Sequence, residues 1–189
     1  MKVCVFGAGN MGARIAEVFL THDHDVTLVD IKNQFLEGGV KRIDGDLSFL
    51  VKKEKMTEER KTALLSGLKT SVDRNVAKDA DFVIEVILEN MDLKKDLLRE
   101  LDKICPAHTI FASNTSALSI TEMAACIPNR ADKFIGCHFF NPAQIMKLVE
   151  VTRAMQTSDE TFQFAYDLMA SLGKIPVAVH EGPGFVVNR

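Results

Sequence analysis

Short apolar runs alternate with helix-spaced segments along most of the chain. Val3-Cys4-Val5-Phe6 is a strand-length run that stops at a glycine. The stretch from Asn10 to Leu20 then carries Met11, Ile15, Val18 and Phe19 at helical spacing. Val26-Thr27-Leu28-Val29 predicts the next strand, closed by Asp30. Residues 34 to 66 are charged and periodic, which predicts a long helix and a shorter one. Thr57 sits as a cap between them, although Arg60 stands where a full capping box wants an acid or amide. Phe82-Val83-Ile84 begins a buried strand, and Met91 to Ile104 predicts a helix with Leu97, Leu98, Leu101 and Ile104 on one face. Thr109–Ala112, Phe134–Cys137, Leu148–Val151 and Ile175–Val179 read as later strands, with a helix over 159–171 between the last two. Strands that are apolar throughout, alternating with helices, imply an α/β fold whose mostly parallel sheet is covered on both faces.

Gly7-Ala8-Gly9-Asn10-Met11-Gly12 fits G-x-G-x-x-G directly after a strand and at the opening of a helix. The pattern is weak alone and strong in this setting. Gly7 permits the tight turn, Gly9 lets a pyrophosphate approach the backbone, and Gly12 lets the helix lie against the strand. The unpaired amides of the helix start face the phosphates. Asp30, closing the next strand, can accept the ribose hydroxyls of an adenosine and repels a 2′-phosphate, so NAD is expected over NADP. Lys32 weakens that preference without removing it, and NADP stays as the alternative. The fold class expected is therefore a Rossmann-type doubly wound sheet.

Composition narrows the setting more than the chemistry. The 189 residues are 47% hydrophobic and 26% charged, with a formal net charge of −3, so no electrostatic case arises for nucleic acid or membrane partners. The cysteines Cys4, Cys105, Cys126 and Cys137 lack metal spacing, and reduced thiols in a cytoplasmic protein are expected. No apolar run reaches the ~20 residues of a membrane span, and the start leads straight into a strand without a signal or transit pattern. Thr21-His22-Asp23-His24-Asp25 looks like a metal cluster but joins a helix to a strand away from the ligand edge, so a solvated turn is expected and no metal. Lys52 to Lys55 reads as an exposed helix face.

Two later stretches hold candidate chemistry. Phe111 to Ile120 places Ser113, Asn114, Thr115 and Ser116 just past the carboxyl end of a strand, the edge where open parallel sheets bind ligands; turn and cap formation is the competing role. Cys137-His138-Phe139-Phe140-Asn141-Pro142 follows, then Leu148-Val149-Glu150-Val151. An acid inside so apolar a strand needs a partner, and His138 is the obvious one. An imidazole titrates at about pH 6.5 and can take a hydroxyl proton at neutral pH, its far nitrogen held by the carboxylate. The competing reading of His138 is a packed core histidine. Phe139 and Phe140 either exclude water or simply fill the core.

With these motifs in order, "GAGNMG", "VIEVILEN", "SNTSALSI", "HFFNPAQIMKLVEV" and "GPGFVVNR", the chain resembles the 3-hydroxyacyl-CoA dehydrogenases, including the 3-hydroxybutyryl-CoA dehydrogenases, from Met1 to Arg189. The resemblance implies an NAD-binding domain followed by a helical domain that dimerises and completes an acyl-CoA cleft. It implies His138 as general base, Glu150 as its orienting carboxylate, and Ser116 and Asn188 on the substrate oxygen. It also implies cofactor contacts from Gly7, Ala8, Gly9, Asn10, Met11, Gly12, Asp30, Glu89, Lys94, Asn114, Ser116 and Asn141. Ser116, Asn141 and Lys53 are implied on the substrate, Lys53 through coenzyme A. Asp46 departs from the Ser or Asn expected nearby on that helix, where an acid would face coenzyme A phosphates.

The last segment starts a helix after Gly182-Pro183-Gly184 and reaches Arg189 within one turn. An NAD-binding domain over 1–184 and the start of a helical domain at 185–189 are expected, with a missing cleft, slow turnover by the chain alone and homo-oligomerisation of the full-length protein. Two rival readings remain. One is a non-catalytic NAD-binding module such as the lens crystallins that resemble this family, which needs none of His138, Glu150, Ser116 and Asn188. The other is a dehydrogenase of a free short 3-hydroxy acid, expected to use a lysine with an asparagine.

Overall fold

The computed structural model describes residues 1–182, and Asn188 lies outside them. In chain order the elements are β1 (Lys2–Phe6), α1 (Asn10–Thr21), β2 (Asp25–Val29), α2 (Asn33–Lys52), α3 (Glu58–Gly67), β3 (Lys69–Ser71), β4 (Phe82–Glu85), α4 (Met91–Ile104), β5 (Ile110–Ser113), α5 (Ile120–Ala124), β6 (Phe134–Phe139), β7 (Leu148–Arg153), α6 (Asp159–Ser171) and β8 (Ile175–Val179). The strands form one sheet in the order β3-β2-β1-β4-β5-β6-β7-β8. Every described pair is parallel except β6 with β7.

Alternate residues of β1 divide between two cores. Val3 and Val5 pack with Ile15, Phe19, Leu36, Ile43 and Leu47 of α1 and α2 and with Ala165 and Met169 of α6. Cys4 and Phe6 pack with Leu97, Leu98 and Leu101 of α4 and Ile120 and Met123 of α5. A strand buried on both faces has no polar positions to spare, which is why the runs read as continuous. Local caps set the helix starts: Thr57 accepts from the Arg60 amide at 3.2 Å, Asn90 from Leu93 at 3.0 Å and Ser158 from Thr161 at 3.1 Å.

The hydrophobic pattern misses β3, α5 and the two 3₁₀ turns at Arg74–Asp79 and Pro128–Lys133. β3 is Lys-Thr-Ser on the sheet edge, with no apolar signal to read. The reversed direction of β7 follows from chain length. Only residues 140–147 join it to β6, too few for the dozen or more that a parallel crossover needs. The link contains a cis Asn141-Pro142 peptide.

The strand order reverses between β1 and β4. Chain leaving β1 turns toward β2 and β3, and chain leaving β4 turns toward β5 and β6, so a crevice opens at the carboxyl ends between them.

Candidate active site

At the carboxyl end of β1 the Gly7 amide donates to Val29 O at 2.8 Å, and Gly7 takes φ +109°, a region closed to side chains. A Cβ there would lie 2.5 Å from Val86 O. At Gly12 a Cβ would meet Gly7 O at 1.8 Å, so α1 is packed onto its own glycine turn. Gly9 faces open space, with nothing within 4 Å of its Cβ position. Asp30 holds the loop: its carboxylate accepts from the Ala8 amide at 2.6 Å and the Ile31 amide at 2.7 Å. Two adjoining clefts of about 380 and 420 Å³ flank this turn, both lined by Gly7, Asp30, Ile31, Ile87 and Leu88. Glycine backbone, a carboxylate and apolar walls fit the phosphates, ribose and adenine of a dinucleotide. Gly12→Ala is expected to destabilise the fold by about 2–4 kcal/mol, read by thermal unfolding, because backbone rather than a movable side chain receives the clash.

The histidine lies near the carboxyl end of β6. β6 and β7 pair with His138 opposite Glu150, and His138 Nδ1 lies 2.7 Å from Glu150 Oε2. Both are buried, at 6% and 1% exposure. The Phe140 ring lies 4.6 Å from the imidazole between centroids, whereas Phe139 is a core residue. Asn114 Oδ1 accepts from the Phe139 amide at 2.8 Å, tying the loop after β5 to the end of β6. β5 and β6 pair in parallel with Ser113 opposite Gly136, so the Ser116 loop leaves β5 at the same carboxyl edge near which His138 sits in β6.

Ser113 and Thr115 do make the turn here: Ser113 Oγ accepts from the Thr115 amide at 3.1 Å, and Thr115 Oγ1 from the Leu118 amide at 3.0 Å. Ser116 is exposed on the resulting loop, its amide donating to Glu89 Oε1 at 2.8 Å. Asn141 is exposed too, and its Oδ1 accepts from Asn10 Nδ2 at 3.1 Å, which brings the loop after β6 to the start of α1. Lys94, expected among the cofactor contacts, lies inside the fold. It is 1% exposed and donates to Glu85 Oε1 and Oε2 at 2.9 and 2.8 Å and to Ile87 O at 3.4 Å. Lys53 is exposed at the carboxyl end of α2, its Nζ 5.6 Å from the centre of the Phe49 ring.

Asp46 turns inward, away from the role its position suggests. Its Oδ2 accepts from Arg14 Nε at 3.0 Å and Gln144 Nε2 at 2.9 Å, and Arg14 also donates to Asn10 Oδ1. Glu17, 2% exposed, lies against it. Burial and the Asp46 charge push the Glu17 carboxyl up to about 8, with a hydrogen bond to Asp46 adding to the effect. Neither Glu17 nor the wholly buried Glu85 stands out in the sequence reading. Glu85 had a usable signal, an acid ending the apolar run Phe82-Val83-Ile84, by the same argument that singles out Glu150.

His22 and Asp23 are exposed in the turn between α1 and β2, at the amino ends of the strands. The four cysteines are free thiols, and burial first of all raises Cys4, Cys105 and Cys137 to about 12, which leaves them protonated and unreactive. Among the described residues, no helix is long and apolar enough to cross a membrane.

Fold and glycine turn together define a dinucleotide-binding doubly wound domain. The family model for "3-hydroxyacyl-CoA dehydrogenase, NAD binding domain" matches residues 2–182, and the chain belongs to that family, whose cofactor is NAD. It is 43% identical over 189 residues to a 3-hydroxybutyryl-CoA dehydrogenase of Clostridioides difficile, covering 100% of this chain and 67% of the relative. It is 46% identical over 194 residues to the mitochondrial hydroxyacyl-coenzyme A dehydrogenase of Rattus norvegicus, covering 99% of this chain and 61% of the relative. A crystal structure of (S)-3-hydroxybutyryl-CoA dehydrogenase from Ralstonia eutropha superposes with a TM-score of 0.96 at 45% identity, over 100% of this chain and 66% of the other. The chain thus spans 61% to 67% of the length of these relatives.

Proposed function

We propose that the protein carrying this chain interconverts (S)-3-hydroxyacyl-CoA and 3-ketoacyl-CoA, with the four-carbon 3-hydroxybutyryl-CoA as its substrate. The observation that carries this reading is the buried His138–Glu150 pair, 2.7 Å apart near the carboxyl end of β6. NAD, when bound, accepts or returns the hydride. His138 takes the substrate hydroxyl proton at Nε2, the ring nitrogen opposite Glu150, and returns it in the reverse direction. Glu150 holds the tautomer and stabilises the imidazolium. Ser116, with Asn188, donates to the oxygen where charge builds, each donor contributing roughly 3 kcal/mol in comparable sites. Phe140 shields the imidazole from water on one side.

In the same reading Asn141 faces both nicotinamide and substrate, and Lys53 meets the coenzyme A moiety. Residues 1–184 form the nucleotide domain, a helical domain opens at 185, the full-length protein pairs through it, and the protein works in the cytoplasm. The resemblance of the motifs and the length of the relatives support the site roles, the domain division and the pairing. A non-catalytic module has no use for a buried acid on a histidine, because burying two ionisable groups costs several kcal/mol without a return in binding.

The deciding measurement is initial rate with acetoacetyl-CoA, longer 3-ketoacyl-CoAs and free 3-hydroxybutyrate, each with the NAD and NADP forms of the cofactor. It is made on this chain and on a longer form containing it. Preference for the C4 thioester and NADH is expected; activity confined to the free acid overturns the proposal. Asp30→Ala is expected to narrow the NADH over NADPH preference by about ten-fold, since the charge that repels a 2′-phosphate is gone.

A further inference from the structure

Glu85 is wholly buried at the carboxyl end of β4, directly opposite Ser113 of β5 in the parallel ladder. A carboxylate in such a place is costly unless its acceptor positions are filled. They are. Glu85 Oε1 accepts from Lys94 Nζ at 2.9 Å and from Ser113 Oγ, and Oε2 from Lys94 at 2.8 Å and the Ile87 amide at 3.3 Å.

The contacts do not stop there. Lys94 Nζ reaches Glu89 Oε2 at 3.4 Å. Glu89 Oε1 accepts from Thr115 Oγ1 at 2.6 Å and from the Ser116 amide at 2.8 Å. The Thr115 amide returns to Ser113 Oγ at 3.1 Å, which closes a circuit through Ser113, Glu85, Lys94, Glu89 and Thr115. Burial works against ionisation of Glu89, but the hydrogen bonds from Thr115 and Ser116 and the Lys94 charge hold its carboxyl below the usual value. A polar network with all members satisfied is stiff, because displacing one group strands the others in a low dielectric.

We propose that Glu85, Ser113 and Lys94 are positioning residues that fix the exposed Ser116 loop, through Glu89, at the place where the substrate oxygen is held. The inference rests on the reading of Ser116 given above and deepens it. None of the three needs to touch substrate: Glu85 is at 0% and Lys94 at 1% exposure. A rigid loop keeps the Ser116 donor aimed before substrate arrives, and such preorganisation is what makes a donor effective in the transition state.

The experiment is a double-mutant cycle between residues 85 and 116, in whichever form of the protein turns over acetoacetyl-CoA. Ser116→Ala is expected to lower kcat about a hundred-fold and Glu85→Gln about ten-fold. Added to Ser116→Ala, Glu85→Gln is expected to cost little more. Ser113→Ala, which leaves the Glu85–Lys94 charge pair whole, should show the same coupling at smaller size and serves if Glu85→Gln does not fold. Additive losses, or a lowered Tm with unchanged kcat, overturn the positioning role alone. Unchanged kcat in Ser116→Ala removes the site reading, and the inference with it.

Discussion

His138→Gln is expected to lower kcat for acetoacetyl-CoA reduction by about a thousand-fold or more while leaving NADH affinity unchanged. Glutamine keeps a donor and much of the bulk, so the buried strand pair β6–β7 stays filled, but it cannot carry the proton. Glu150→Gln removes the charge that stabilises an imidazolium and allows the ring to adopt the other tautomer, with an expected loss of about 10²–10⁴ in kcat. The two substitutions together are expected to cost scarcely more than His138→Gln, because the carboxylate acts only through the ring. Stopped-flow hydride transfer and NADH fluorescence titration separate the outcomes. If His138→Gln weakens nucleotide binding as strongly as turnover, His138 belongs to the cofactor pocket and the proton-transfer role is lost.

The second large effect is on stability and has nothing to do with the reaction. Glu17 of α1 is 2% exposed, its Oε2 has no hydrogen-bond partner among the described residues, and its carboxyl is pushed from 4.5 up to about 8. The charges facing it are Arg14 on its own helix, Asp46 of α2 and Lys174 before β8. Lys174 is committed elsewhere, donating to Met146 O at 3.0 Å and to Ala143 O at 2.5 Å. The folded chain therefore holds a proton on Glu17 that the unfolded chain releases. For a carboxyl raised in the fold, the contribution is complete below about pH 4.5 and is lost progressively as pH rises to about 8. Each pH unit in that window removes about 1.4 kcal/mol at most.

Glu17→Gln replaces the protonated acid with a permanently neutral donor that can still reach Asp46. It is expected to stabilise the chain by several kcal/mol at pH 8 relative to the parent, with little difference near pH 4.5. Urea unfolding at a series of pH values measures it. Parallel stability profiles for the two proteins would mean that Glu17 is ionised in the fold and paired.

Much of this molecule is legible in its residues, and the reasons differ from place to place. The glycine turn is readable because Gly7 must take φ +109° and Gly12 must admit the oxygen of Gly7, demands that only one residue type meets. The strands are readable because both faces of the sheet are covered. Glu150 is readable because an acid in an apolar strand has to find a partner, and the spacing to His138 suits a reversal. The same rule applied to Glu85 calls for a partner without saying which residues supply it. Lys94, by contrast, shows nothing in sequence to distinguish a lysine on a ligand from one sealed against two acids.

Asp46 shows the same limit from the other side. Its position on α2 suggests solvent or a coenzyme A phosphate, while the folded chain turns it toward Arg14 and Gln144, residues 32 and 98 positions away. The sequence by itself determined most of the elements, the mostly parallel sheet, the nucleotide turn and the pairing of His138 with Glu150, because these depend on periodicity, backbone freedom and neighbours along adjoining strands. The tertiary structure alone decided the Asp46 knot, the raised acid of Glu17 and the circuit around Ser113, because contacts between side chains from separate elements leave no periodic trace in either segment.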